Sequence, residues 1–64
     1  MYAVQAQVHI KRDDGWEGSH QVPTFYLDEN VQGFLDEDGA KRVARRVIDP
    51  MGSLALTITT VKVS

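Results

Sequence analysis

A chain of 64 residues with nine acidic and seven basic side chains, net charge −2 and no cysteine, reads as one domain, 1–64, near the lower size limit for unaided folding. The composition excludes disulfide staples and thiolate zinc sites. It also gives no whole-molecule attraction to nucleic acid or to an anionic membrane. No apolar run has the length of a membrane span and the start, Met1-Tyr2-Ala3-Val4-Gln5, lacks a signal-peptide pattern. The expectation is therefore a cytoplasmic protein with no membrane partner.

Tyr2, Val4, Ala6, Val8 and Ile10 alternate with Ala3, Gln5, Gln7 and His9, the pattern of a strand with one apolar face. A polar stretch follows from Lys11 to Ser19 and holds Asp14-Gly15, a pair suited to a hairpin turn with positive φ. A second strand is expected from His20 to Leu27. Pro23 lies inside it and has no N–H to donate, which predicts an edge strand or a bulge. Asp28 to Leu35 reads as a connection, with Asp28, Asn30 and Gly33 as turn formers.

Ala40, Val43, Ala44, Val47 and Ile48 then fall on one helical stripe. Asp36 is the expected N-cap, and Asp49 before Pro50 the expected limit, since a residue before proline avoids helical backbone. Leu54, Leu56 and Ile58 alternate with Ala55, Thr57 and Thr59 as a third strand. After Thr60 the apolar parity passes to Val61 and Val63, which reads as a bulge or as a strand end buried on its other face.

The order ββαβ predicts an α+β fold, a three-stranded sheet of order 2-1-3 with one α-helix packed on one face. Two hairpin registers are open. A two-residue turn at Asp14-Gly15 pairs Val4 with Phe25 and His9 with His20; a three-residue turn pairs Val4 with Thr24 and exchanges the faces of strand two. The first is preferred because it sets Phe25 and Leu27 opposite Val4 and Tyr2. The expected core is Val4, Ala6, Val8, Ile10, Phe25, Leu27, Val43, Val47, Ile48, Leu54, Leu56 and Ile58, so that Val47→Asp would unfold the chain.

One helix covers only one side of such a sheet. The other side is expected to carry Gln5, Gln7, Val22, Tyr26, Thr57, Thr59, Val61 and Val63, with Ala3, His9, Thr24 and Ala55 beside them and no carboxylate. Charge depletion with aromatic content is typical of an interface core, so a homodimer formed face to face, or through the edge of strand three, is expected. A solvated antiparallel face is the plainer account. Lys41, Arg42, Arg45 and Arg46 on the outer helix face form the alternative site, one for nucleic acid. Its plainer account is helix-dipole complementarity with i, i+4 pairs Glu37–Lys41 and Asp38–Arg42. His9 and His20, if neighbours, give two imidazoles, short of the four ligands of a structural zinc site. Trp16 is expected to fold back over Lys11 and Arg12. There is no Cys nucleophile, no Ser-His-acid set at local spacing and no Gly-rich phosphate loop, so neither catalysis nor a metal or cofactor is expected.

The run Val22-Pro23-Thr24-Phe25-Tyr26-Leu27-Asp28-Glu29-Asn30-Val31-Gln32-Gly33, followed by Ala40-Lys41-Arg42-Val43-Ala44, resembles a segment of small uncharacterised proteins of actinobacteria and their phages. There a Pro-Thr-Phe-Tyr-Leu stretch precedes a basic helix. The likeness covers residues 22 to 48. It implies a phage or accessory-gene origin, assigns no activity and carries over no functional residue; the host-protein partner expected here rests on the charge-depleted sheet face.

Overall fold

The computed structural model describes residues 1–64. Its first two elements are strands, β1 over Tyr2–Lys11 and β2 over Glu17–Leu27. The turn joining them is closed by the Arg12 N–H donating to the Trp16 carbonyl at 2.8 Å and the Gly15 N–H to the Arg12 carbonyl at 3.0 Å, with Gly15 at φ +88°. That is a three-residue loop ending in a left-handed glycine. The Asp14 carboxylate stiffens it by accepting the Trp16 N–H at 3.0 Å.

Beside this turn the opposed residues are Lys11–Glu17, Val8–His20 and Ala6–Val22, whereas at the far end they are Val4–Phe25 and Tyr2–Leu27. The two halves differ by one residue. The shift falls between Val4 and Ala6, where Pro23 and Thr24 together stand against Gln5. Both registers open to the sequence thus coexist, joined by a bulge at the proline that cannot donate. The preferred two-residue turn is corrected, and so are two of its consequences. His9 lies opposite Ser19, not His20. Val22, opposite Ala6, sits on the helix-bearing face and not on the open one.

Asp28 caps a single helical turn, α1 over Glu29–Gln32, by accepting the Asn30 N–H at 2.8 Å, and Gly33 ends it at φ +74°. The connection expected here therefore contains a second, short helix. Asp36 caps α2, Glu37–Ile48, by accepting the Gly39 N–H at 2.8 Å. Strand β3, Ala55–Lys62, completes a sheet of order β2-β1-β3 in which β1 is antiparallel to both neighbours. Its pairing with β1 is continuous, so the parity switch is not a bulge. Thr60, opposite Val4, turns under the helix and is buried with its hydroxyl unpartnered, while Val61 stays half exposed on the open face.

Helix α2 lies over β3 and the adjoining side of β1. Twelve residues make it about 18 Å long, against a longest molecular dimension of 44 Å. It therefore covers one end of the sheet only. The buried cluster is Val4, Leu27, Phe34, Ala40 and Ala44, with Tyr2, Phe25, Val43 and Ile58 packed around it. Ile10, Val47 and Leu54, expected inside, are exposed. The helical stripe is as expected, but no strand residue covers Val47, which is 58% exposed.

The turn from α2 into β3 is organised by Asp49, only 6% exposed. Its carboxylate accepts the Leu54 N–H at 2.7 Å and the Ser53 N–H at 3.1 Å. The Leu54 bond above all, then those from Ser53 and Gly52 and the charge of Arg45, hold its carboxyl below the usual range against the opposing effect of burial. A folded pKa below the unfolded one means that this stabilisation is complete above the unfolded value, about 3.9, and is lost as pH falls through the folded value. Asp49→Asn is expected to lower the Tm at pH 7 and to flatten the acid limb of the Tm–pH curve. Identical curves for the two proteins would remove this role.

Candidate interaction surfaces

The open face is built in rows across the three strands. Tyr26, Ala3 and Val61 form one row, Gln21, Gln7 and Thr57 another, and Ser19, His9 and Ala55 a third, with Gln5 and Thr59 between the first two. Opposed residues share a face because side chains alternate along each strand. Gln5, Gln7, Gln21, Thr57 and Thr59 line one shallow polar depression. Gln21 takes the place that the sequence reading gives to Val22. Tyr26, Val61 and Val63 are all exposed and make one end of the face apolar. His9 Nε2 lies 2.7 Å from the Thr57 hydroxyl, a bond that ties β1 to β3. Charge enters the face only at its rim, where Lys11 and Glu17 pair at 3.8 Å.

The opposite side of the hairpin is different in character. Beyond the end of α2, Val8, Ile10, Val22 and Leu56 share the helix-bearing face of the sheet with no helix above the tip. The Trp16 ring folds onto the same face. A Cβ on Gly18 would stand 2.4 Å from the ring, so glycine is what lets the indole lie flat there. The Arg12 guanidinium stacks 5.8 Å from the ring centre, as the fold-back reading expects for Arg12. Ile10, Trp16, Val47, Met51 and Leu54 are exposed in this region. The sequence signal for this surface was the hairpin length: a strand to Lys11 outruns a helix of twelve residues.

The four cations of α2 spread over both flanks of its outer surface. Arg46 borders Phe34 and Gly39, Lys41 and Arg45 border Ile58, and Arg42 lies between and borders both. Of the expected i, i+4 pairs Glu37–Lys41 forms, at 3.8 Å. Asp38–Arg42 does not, and Arg42, Arg45 and Arg46 have no ion pair. His20, opposite Val8, points to the face away from His9, so the two imidazoles do not meet. No group of three or more His, Cys, Asp or Glu side chains is placed to hold a metal ion.

No helix of the chain is long and apolar enough to cross a membrane. No protein-family model matches the chain, and neither a curated protein nor a solved structure does.

Proposed function

We propose that this chain is a small non-enzymatic interaction module that self-associates through its open sheet face. The observation that carries the reading is the face itself: from Ala3 to His9 and across to β3 it holds no charged side chain, and it ends in exposed Tyr26, Val61 and Val63. Exposed apolar area rimmed by polar groups marks an interaction site. The size of the core points the same way. Ten of 64 residues are buried and Val4 is the one large side chain fully out of water, so a second subunit supplies burial that the monomer lacks. An accessory-gene or phage setting belongs to this reading on the strength of the Pro23–Leu27 resemblance, a cytoplasmic one on the lack of cysteine, and a host protein as further partner on the charge-depleted face.

Light scattering over a concentration series tests it. Val61→Glu and Thr57→Glu are expected to weaken self-association by at least about tenfold, while leaving the circular dichroism spectrum unchanged. A wild-type chain that remains monomeric at millimolar concentration would sink the reading. A second reading, nucleic-acid binding, is favoured by the unpaired Arg42, Arg45 and Arg46. It requires that Arg42→Glu with Arg46→Glu abolish binding of an oligonucleotide.

A further inference from the structure

We propose that the helix-side face of the projecting hairpin is a second self-association surface, on which the arms of two copies stack antiparallel about a two-fold axis. Each hairpin tip then docks on the C-terminal end of the partner copy's α2. This surface is separate from the open face, since side chains of Val8, Ile10 and Trp16 lie on the other side of the sheet from Gln7, His9 and Thr57.

Three observations select a second copy as the occupant. The first is apolar content at both ends of one strip. The tip offers Trp16, 51% exposed, the middle Ile10, 41% exposed, and the helix end Val47 and Met51. An antiparallel stack lays Trp16 of one copy against Val47 and Met51 of the other, twice, and Ile10 against its own counterpart near the axis. The second is charge. The tip carries Asp13, Asp14 and Glu17, with Arg12 and Lys11 already engaged by Asp14 at 3.6 Å and Glu17 at 3.8 Å, which leaves Asp13 unpaired. The helix end carries Arg45 and Arg46, also unpaired. The stack brings the surplus acid of one copy to the surplus base of the other, and the two-fold repeats the match. The third is shape. A helix of about 18 Å on a body 44 Å long leaves a step, and a second arm inverted on the first fills the step in both copies at once.

The complementarity sets up a charge-reversal test in the full chain. Ile10→Glu, at the centre of the strip, is expected to weaken the arm-mediated step by at least about tenfold. Asp13→Lys gives a protein basic at both contacts, and Arg45→Glu with Arg46→Glu one acidic at both. Each alone is expected to associate about fivefold more weakly than wild type, as reversal of an exposed pair repeated twice implies. An equimolar mixture is expected to recover wild-type affinity, because tip and helix end are then opposite in both contacts of the mixed pair. Sedimentation equilibrium with circular dichroism on each variant reads all of these. With both surfaces active, Val61→Glu leaves an arm-held dimer and Ile10→Glu a dimer held by open faces. A mixture that associates no better than its components overturns the arm contact. So does loss of all association in Val61→Glu with none in Ile10→Glu, a result that would leave the open-face reading standing.

Discussion

Ala44→Asp is expected to leave the chain unfolded at 25 °C, and Val47→Asp to leave it folded with a cooperative transition. The two positions lie on one helical stripe three residues apart, and hydropathy alone would rank valine as the more buried. The structure reverses the order: Ala44 is wholly buried in contact with Val4 and Ala40, while Val47 is more exposed than covered. A carboxylate at position 44 loses its hydration without gaining a partner, and its added atoms have no space between helix and sheet; each effect costs about 1–3 kcal/mol. A core of this size supplies about 3–5 kcal/mol in total, so the sum removes the native state. At position 47 the carboxylate reaches water, and the cost is a small helix-dipole and propensity effect of about 0.5–1 kcal/mol. Urea titrations followed by circular dichroism separate the two. A folded Ala44→Asp protein would mean that α2 does not seat its alanine stripe on β1 and β3.

The same pair shows what periodicity conveys and what it leaves out. Spacing identified the helix, its N-cap Asp36, its limit at Asp49 and the three strands, because each is a local pattern; the handedness of the crossover supplied the strand order. Spacing also chose the inward stripe of α2. How far the sheet extends beneath that stripe is a matter of relative length, and the hairpin outruns the helix, so Val47, Ile10 and Leu54 end up outside the core. Register was hidden for another reason. Strand β2 alternates acceptably in either frame, and the chain uses both, switching at Pro23 and Thr24. Val22 changed face with that switch. On the open face Gln5, Gln7, Thr57, Thr59 and Val61 are where parity puts them, because β1 and β3 pair without interruption, and Tyr26 is there because the Tyr2 end of the hairpin keeps the preferred register.

The bulge also separates two tasks along β2. On the Tyr2 side it places Phe25 and Leu27 against β1 and beneath the helical layer; on the turn side it sends Val22 and His20 to the face of the free arm. Without the extra residue, Phe25 and Leu27 would face away from the buried cluster or the arm would lose its apolar strip. One residue beside a proline thus lets a short strand serve a core at one end and an exposed apolar surface at the other. That second surface is the one on which the proposed arm contact rests.

Phe34→Ala is expected to cost about 3–5 kcal/mol, enough to depopulate the folded state of a chain this small. In sequence Phe34 sits in a polar connection after Gly33, next to Leu35, and nothing in its spacing distinguishes the two. In the fold they part: Leu35 is fully exposed, while Phe34 is buried against Tyr2, ring to ring at 5.4 Å and edge-on. Gly39, in the first turn of α2, makes the room. A Cβ there would stand 2.9 Å from the Phe34 Cβ, closer than carbon atoms pack without displacement. Glycine inside a helix ordinarily costs about 1 kcal/mol relative to alanine, so Gly39→Ala would stabilise an uncrowded helix. Here it is expected to destabilise, because the phenylalanine must move off the β1–α2 seam to admit the methyl group. Leu35→Ala, by contrast, is expected to shift stability by less than about 0.5 kcal/mol. Thermal melts of the three variants decide the matter, and a Gly39→Ala protein more stable than wild type would show that Phe34 is not wedged against the helix start.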